Sequence, residues 1–221
     1  AVITGQSQVT QYIPEIAFSQ LRATPTLLVD QSDQAFWTYF MGMKIDKPTV
    51  SDLAVRQAIN LAVNREALTE DILFGEVEPA YSYISTATLD WDHALDDTLL
   101  HYDPERAKAL LDEAGWVPGS DGIREKDGQR LDPTVYIETG STWQKVSEFV
   151  QADLRQVGID LQIQVFDGTV FWGKVATQEF DIFGMAYPYI SAGDAMNLYF
   201  LSRNVPTPNR MNWIDEETDQ W

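Results

Sequence analysis

The chain has 221 residues, no Cys, 15 Lys plus Arg and 34 Asp plus Glu, for a net charge of −19. That length can bury a sizeable core, and the lack of Cys excludes disulfides and thiolate metal sites. So acidic a chain is a poor partner for nucleic acid or anionic lipid, which require clustered cations.

The apolar share is 44%, ordinary for a globular domain, and no run of about 18 apolar residues offers a membrane span. The acids are spread along the chain and read as solvated faces. The first residue is Ala1, without an apolar leader, which gives the expectation of a removed signal or an excised piece.

The first elements are short. Pro14 precedes a helix over 15–22, and 26–30 and 35–41 carry the β-branched and aromatic content of strands. Ser51 stands as N-cap of a helix to about Val63, with Leu53, Val55, Ile59, Ala62 and Val63 as its stripe. Asn64 caps a second helix over 65–74, which Gly75 closes. The stretch 76–100 has no period, and loops of that length are uncommon unless functional. Asp103-Pro104 joins an acidic N-cap to Pro at the first helical position. Ala107, Leu110, Leu111 and Ala114 then share one side before Gly115. Ser120-Asp121-Gly122 and Lys126-Asp127-Gly128 are turns around a short pair of strands.

The last third is regular. A strand over 134–138 leads to a helix that Ser141 or Thr142 caps, with Val146, Phe149, Val150 and Leu154 inward and Gly158 at its end. A strand over 160–166, a helix from Thr169 to Gln178, a strand over 180–186 and a helix over 194–201 follow. This alternation predicts an α/β fold with a mainly parallel βαβαβ unit and right-handed crossovers.

Ligands of such sheets sit beyond the carboxyl ends of the strands. The loops there are 139–143, 166–172 and 187–194, rich in aromatic and hydroxyl groups and without a cluster of ionisable side chains. That content fits binding better than catalysis. The candidate ligand-binding residues are Trp143, Trp172, Tyr187 and Tyr189 as apolar faces, with Asp194 and Asn197 as polar partners. No residue is assigned to catalysis, metal or cofactor. The competing structural roles are packing between helix and sheet for the Trp pair and an N-cap for Asp194.

His93 and His101 lack the helical metal spacing, and no GxSxG, P-loop or GxGxxG occurs. Acid groups such as Asp90 with Asp92, Asp96 with Asp97, and Asp215 with Glu216 and Glu217 keep a carbohydrate-active hydrolase fragment as the rival reading. Glycosidases need two carboxylates about 5–10 Å apart.

Several segments share wording with a known family. Asp52-Leu53-Ala54-Val55-Arg56-Gln57-Ala58-Ile59 is followed by Asn64-Arg65-Glu66 and Gly75. Tyr102-Asp103-Pro104-Glu105 leads to Ala107-Lys108, Leu110-Leu111 and Glu113-Ala114-Gly115-Trp116. Asp121-Gly122-Ile123, then Gln151, Asp153-Leu154 and Val157-Gly158-Ile159, then Phe180-Asp181-Ile182 complete the set. In this order they resemble the signature of family 5 extracellular solute-binding proteins, the dipeptide- and oligopeptide-binding relatives. The motifs are caps, turns and core stripes, so they mark a scaffold.

The resemblance implies one lobe of a periplasmic-binding-protein type II fold over 1–221, with the first lobe and a C-terminal tail lying outside this piece. It implies the substrate-binding component of an ABC importer and no enzyme. Such a component captures an oligosaccharide or oligopeptide by lobe closure and delivers it to a membrane permease. It implies a monomer in the periplasm or outside the cell, with lipid anchorage of the full-length protein left open. Peptide binders of the family resemble one another in an Asp soon after a Gly-Trp pair. Here Gly184 is followed by Met185, and Pro188 stands near the acid's place. A peptide ammonium left unpaired in a closed cleft costs several kcal/mol, on the order of buried-charge penalties. The departure therefore favours an uncharged oligosaccharide, with a peptide-specific binder and a sensor-coupled receptor lobe as alternatives.

Overall fold

The computed structural model describes residues 2–10, 13–31, 37–88, 90–140, 142–189 and 191–220, and Asp96 without its side chain. The elements run α1 (Phe18–Arg22), β1 (Trp37–Met43), α2 (Leu53–Ala62), α3 (Arg65–Asp71), α4 (Pro104–Glu113), β2 (Val117–Pro118), β3 (Arg124–Lys126) and β4 (Gln129–Arg130). They continue with β5 (Thr134–Glu138), α5 (Trp143–Gln156), β6 (Gln162–Phe166), α6 (Gly168–Thr177), β7 (Ile182–Pro188) and α7 (Ala192–Tyr199).

Helix starts are set by short polar side chains one residue ahead of the first turn. Asp103 accepts from the Arg106 amide at 2.9 Å, and Asn64 from the Ala67 amide at 3.0 Å, as the sequence predicts. Three starts differ. The cap of α2 is Asp52, whose carboxylate accepts from the Ala54 amide at 3.0 Å, rather than Ser51. Asp167 caps α6, which begins at Gly168 rather than at Thr169, and Ser191 caps α7 in place of Asp194. Asp52, Asp167 and Ser191 all have extended backbone that aims the side-chain oxygen at free amides of the first turn, whereas Thr169 and Asp194 already lie inside the helix. Thr142 makes no side-chain cap on α5 and donates instead to Glu15 at 3.0 Å. Ser141 lies outside the described residues, as do Ala35 and Phe36 of the predicted 35–41 strand.

Residues 26–30 form no strand, and Leu28 is 93% exposed. Strand-like composition needs a neighbouring ladder and a face to bury, and neither is present there.

The main sheet has the order β1-β7-β5-β6. β5 pairs in parallel with β6, from Thr134 opposite Gln162 to Glu138 opposite Phe166, and in parallel with β7 through Val135 and Tyr136. β1 closes the other edge antiparallel to β7, with Trp37 opposite Pro188. A smaller sheet orders β2-β3-β4.

The pleat sorts side chains onto two cores. Val135, Ile137 and Ile182 turn toward α2, α4 and α5, where Val55, Leu111, Val150 and Leu154 meet them. Tyr136, Phe183 and Met185 turn toward α6 and α7, where Phe171, Val175, Ala195 and Tyr199 meet them. Among the described residues, no helix is long and apolar enough to cross a membrane.

Candidate functional site

Beyond the carboxyl ends of β5 and β7 lies a cavity of about 640 Å³, within the roughly 300–1,000 Å³ of small-molecule sites. Its floor is the end of β7 from Gly184 to Pro188, with Trp37 from the paired strand at one side. Glu138 ends β5, Trp143 begins α5, Phe171 and Trp172 come from α6, Leu198 and Tyr199 from α7, and Pro208 and Arg210 from the chain beyond it.

Trp143 can lie here because Gly184 has no side chain. A Cβ on Gly184 would stand 2.9 Å from Trp143 Cε3 and 3.1 Å from Cδ2, tighter than van der Waals contact allows. The Tyr39 ring of β1 meets the same indole at 5.7 Å between centroids, tilted 54°. Trp172 stands 45% exposed on α6, edge-on to Phe171 at 5.2 Å. The Arg210 guanidinium carbon sits 5.8 Å from the Trp172 ring centre, within cation–π range. Burial pushes the Tyr199 phenol up, and the Arg210 guanidinium beside it opposes that shift. Arg210 Nε is shielded from solvent and has no hydrogen-bond partner among the described residues.

The six sequence candidates divide evenly. Trp143, Trp172 and Tyr187 line the cavity together. Tyr189, 1% exposed, is absent from the lining and stands behind the wall. Its hydroxyl is bonded to that of Tyr83, its ring packs against Tyr187 and Tyr199 at 5.4 and 5.9 Å, and burial pushes its phenol up. Asp194 lies exposed in the first turn of α7, away from the cavity lining. Asn197, also exposed and off the lining, accepts from Arg203 at 3.0 Å.

The stretch 76–100 braces this wall. Tyr83 packs edge-on against Phe40 at 4.6 Å and Tyr199 at 5.9 Å, and Asp90 accepts from the Ala192 amide at the start of α7 at 2.9 Å.

Trp37, Glu138, Tyr199 and Arg210 were not among the sequence candidates. The antiparallel return of β1 beside β7 brings in Trp37, and only the fold brings in Arg210. Glu138 was detectable as the last residue of a predicted parallel strand.

Chemically, the cavity can stack on flat apolar faces, accept and donate hydrogen bonds, and hold an anion at Arg210. Among the described residues Glu138 is the one carboxylate in the lining, and a Cβ added at Gly168 would run into that carboxylate at the start of α6. Among the described residues, no group of three His, Asp or Glu is placed to hold a metal.

A mainly parallel α/β unit with an aromatic cavity beyond its strand ends defines one lobe of a periplasmic-binding-protein type II fold. The family model for bacterial extracellular solute-binding proteins, family 5 (middle region), matches residues 1–208, and the chain belongs to that family. It is 35% identical over 135 residues to a nickel-binding periplasmic protein of Escherichia coli, covering 60% of this chain and 25% of that protein. The solved structure of the oligopeptide-binding protein AppA of Bacillus subtilis, in complex with a nonapeptide, superposes with a TM-score of 0.85 at 24% identity. That superposition covers 94% of this chain and 42% of AppA. A periplasmic oligopeptide-binding protein of Thermotoga maritima, bound to mannohexaose, has a TM-score of 0.73 at 21% identity over 83% of this chain and 37% of its own. The chain thus spans about a quarter to two fifths of the length of these relatives.

Proposed function

We propose that the chain forms one wall of the solute site in the substrate-binding component of an ABC importer. A second lobe closes over the cavity, buries an oligopeptide or oligosaccharide, and presents the closed form to a membrane permease outside the cytoplasm. The observation that carries this reading is the cavity, open along one side and faced by Trp37, Trp143, Trp172 and Tyr187. Rings held by packing lose little freedom when they meet a ligand. Names of relatives supply both ligand classes, a nonapeptide for AppA and mannohexaose for the Thermotoga protein.

A hydrolase is less well supported, because two carboxylates must flank a glycosidic bond and Glu138 is the one acid in the lining among the described residues. Titration calorimetry of the full-length protein against di- to pentapeptides and against cello- and malto-oligosaccharides tests the reading. One class should bind, and Trp172→Ala should weaken it by about 2 kcal/mol, roughly 30-fold in Kd. Turnover of a sugar that disappears in Glu138→Gln would replace solute capture with hydrolysis.

A further inference from the structure

We propose that Arg210 receives a carboxylate of the captured solute. This rests on the reading of the cavity as the solute site and adds the chemical class of what fills it.

The chain contains nine Arg. Seven of them donate to a carboxylate, amide or backbone carbonyl oxygen, as Arg22 does to Glu76, Arg65 to Asn60 and Arg155 to Asp160, and Arg106 is paired with Glu113 at 3.6 Å. Among the described residues, Arg210 alone meets only aromatic groups, the Trp172 face and the Tyr199 phenol. That is a marked exception in a chain where acids outnumber cations 34 to 15. A guanidinium carries five donors in one plane, more than the single Tyr199 phenol beside it can accept. Nε is shielded from solvent and has no partner among the described residues. An oxyanion with two oxygens in one plane matches a guanidinium edge with two parallel hydrogen bonds.

Long-range charge does not bring such a solute in, because the chain's net charge of −19 repels anions. Beyond about 10 Å that repulsion is screened at ordinary salt. Discrimination therefore falls to the contact itself, and among the described residues Arg210 is the one cation in the lining. The carboxylate can come from a peptide C-terminus or from a uronic acid, which share this chemistry.

The test uses calorimetry on the full-length protein with two probe pairs. One pair is trialanine and trialanine amide, which keep the same ammonium, and the other is trigalacturonate and its methyl ester. In one pair the carboxylate form should bind about 10- to 100-fold tighter than the neutral form, which is the reach of one charge-assisted contact. Arg210→Gln should erase that preference, costing the carboxylate form about 10- to 100-fold more than the neutral form. Arg210→Lys, which retains charge without the fork, should keep part of it. Equal binding of both members of each pair by the unmodified protein overturns the assignment and leaves solute capture standing. So does an equal loss for both members in Arg210→Gln, which marks a packing role. Failure of all four probes to bind, with a cello- or malto-oligosaccharide bound by the same protein, overturns the assignment and leaves solute capture standing.

Discussion

Gly184 shows how one missing methyl shapes the site. It lies in β7, buried, with the Trp143 indole directly over its Cα. A Cβ there would stand 2.9 Å from the ring, so the indole that lines the cavity would have to shift. Overpacking of this kind costs about 1–3 kcal/mol. Gly184→Ala should therefore lower the unfolding free energy by that amount and weaken solute binding. The decisive control is Trp143→Ala. If the clash is the cause, adding Gly184→Ala to Trp143→Ala should cost much less than it does alone, a non-additivity that denaturant melts can measure. Additive losses would mean that Gly184 matters for some reason other than the indole. The same contact explains why Trp143 was legible as a site candidate while its orientation was not. Its place at a helix start can be read locally, but the glycine that admits it lies some forty residues later in another strand.

Between elements, two Arg on one small sheet play unequal parts. Arg124 of β3, 5% exposed, donates from Nε to Val157 O at 2.8 Å, and from Nη1 to Trp116 O at 2.6 Å and Asp112 at 2.5 Å. One side chain so ties β3 to the end of α4 and the end of α5. Arg130 of β4 pairs with Asp121 at 2.7 Å and Asp160 at 3.3 Å, but with a third of its side chain exposed. Removing a buried charged partner costs about 3–5 kcal/mol, whereas an exposed pair contributes about 0–1 kcal/mol. Arg124→Ala should be several-fold more damaging in urea melts than Arg130→Ala, and similar losses for the two would refute the ranking. Elements of this kind were largely legible. The helices over 53–62, 104–113 and 143–156 follow apolar stripes and turn residues that act within a few positions. The strand expected at 26–30 failed because a strand depends on a distant partner. β1 illustrates the same limit, since its antiparallel pairing with β7 joins segments nearly 150 residues apart.

At the scale of the whole molecule, the cavity lining draws together Trp37, Trp143, Trp172, Tyr187 and Arg210, and no local pattern in the chain joins them. The parallel order of the last three strands was readable. The place of Arg210 in the lining was not, because it follows α7 in a stretch without period. Net charge acts at this scale as well. Even if each of the 15 cations neutralised one acid, 19 acids would remain, and their mutual repulsion opposes the compact state. Raising NaCl from 0.01 to 1 M shortens the screening length from about 30 Å to about 3 Å. The same salt weakens surface pairs such as Lys108 with Glu105, each contributing about 0–1 kcal/mol. The unpaired acids outnumber the pairs, so screening should win and the chain's Tm should rise with salt. Each kcal/mol gained moves Tm by roughly 2–4 °C for a domain of this size. Equal rises in NaCl and KCl would identify screening as the cause, since neither ion has a dedicated site in that account. A Tm that falls with salt would instead show that paired charges govern stability despite the acidic excess.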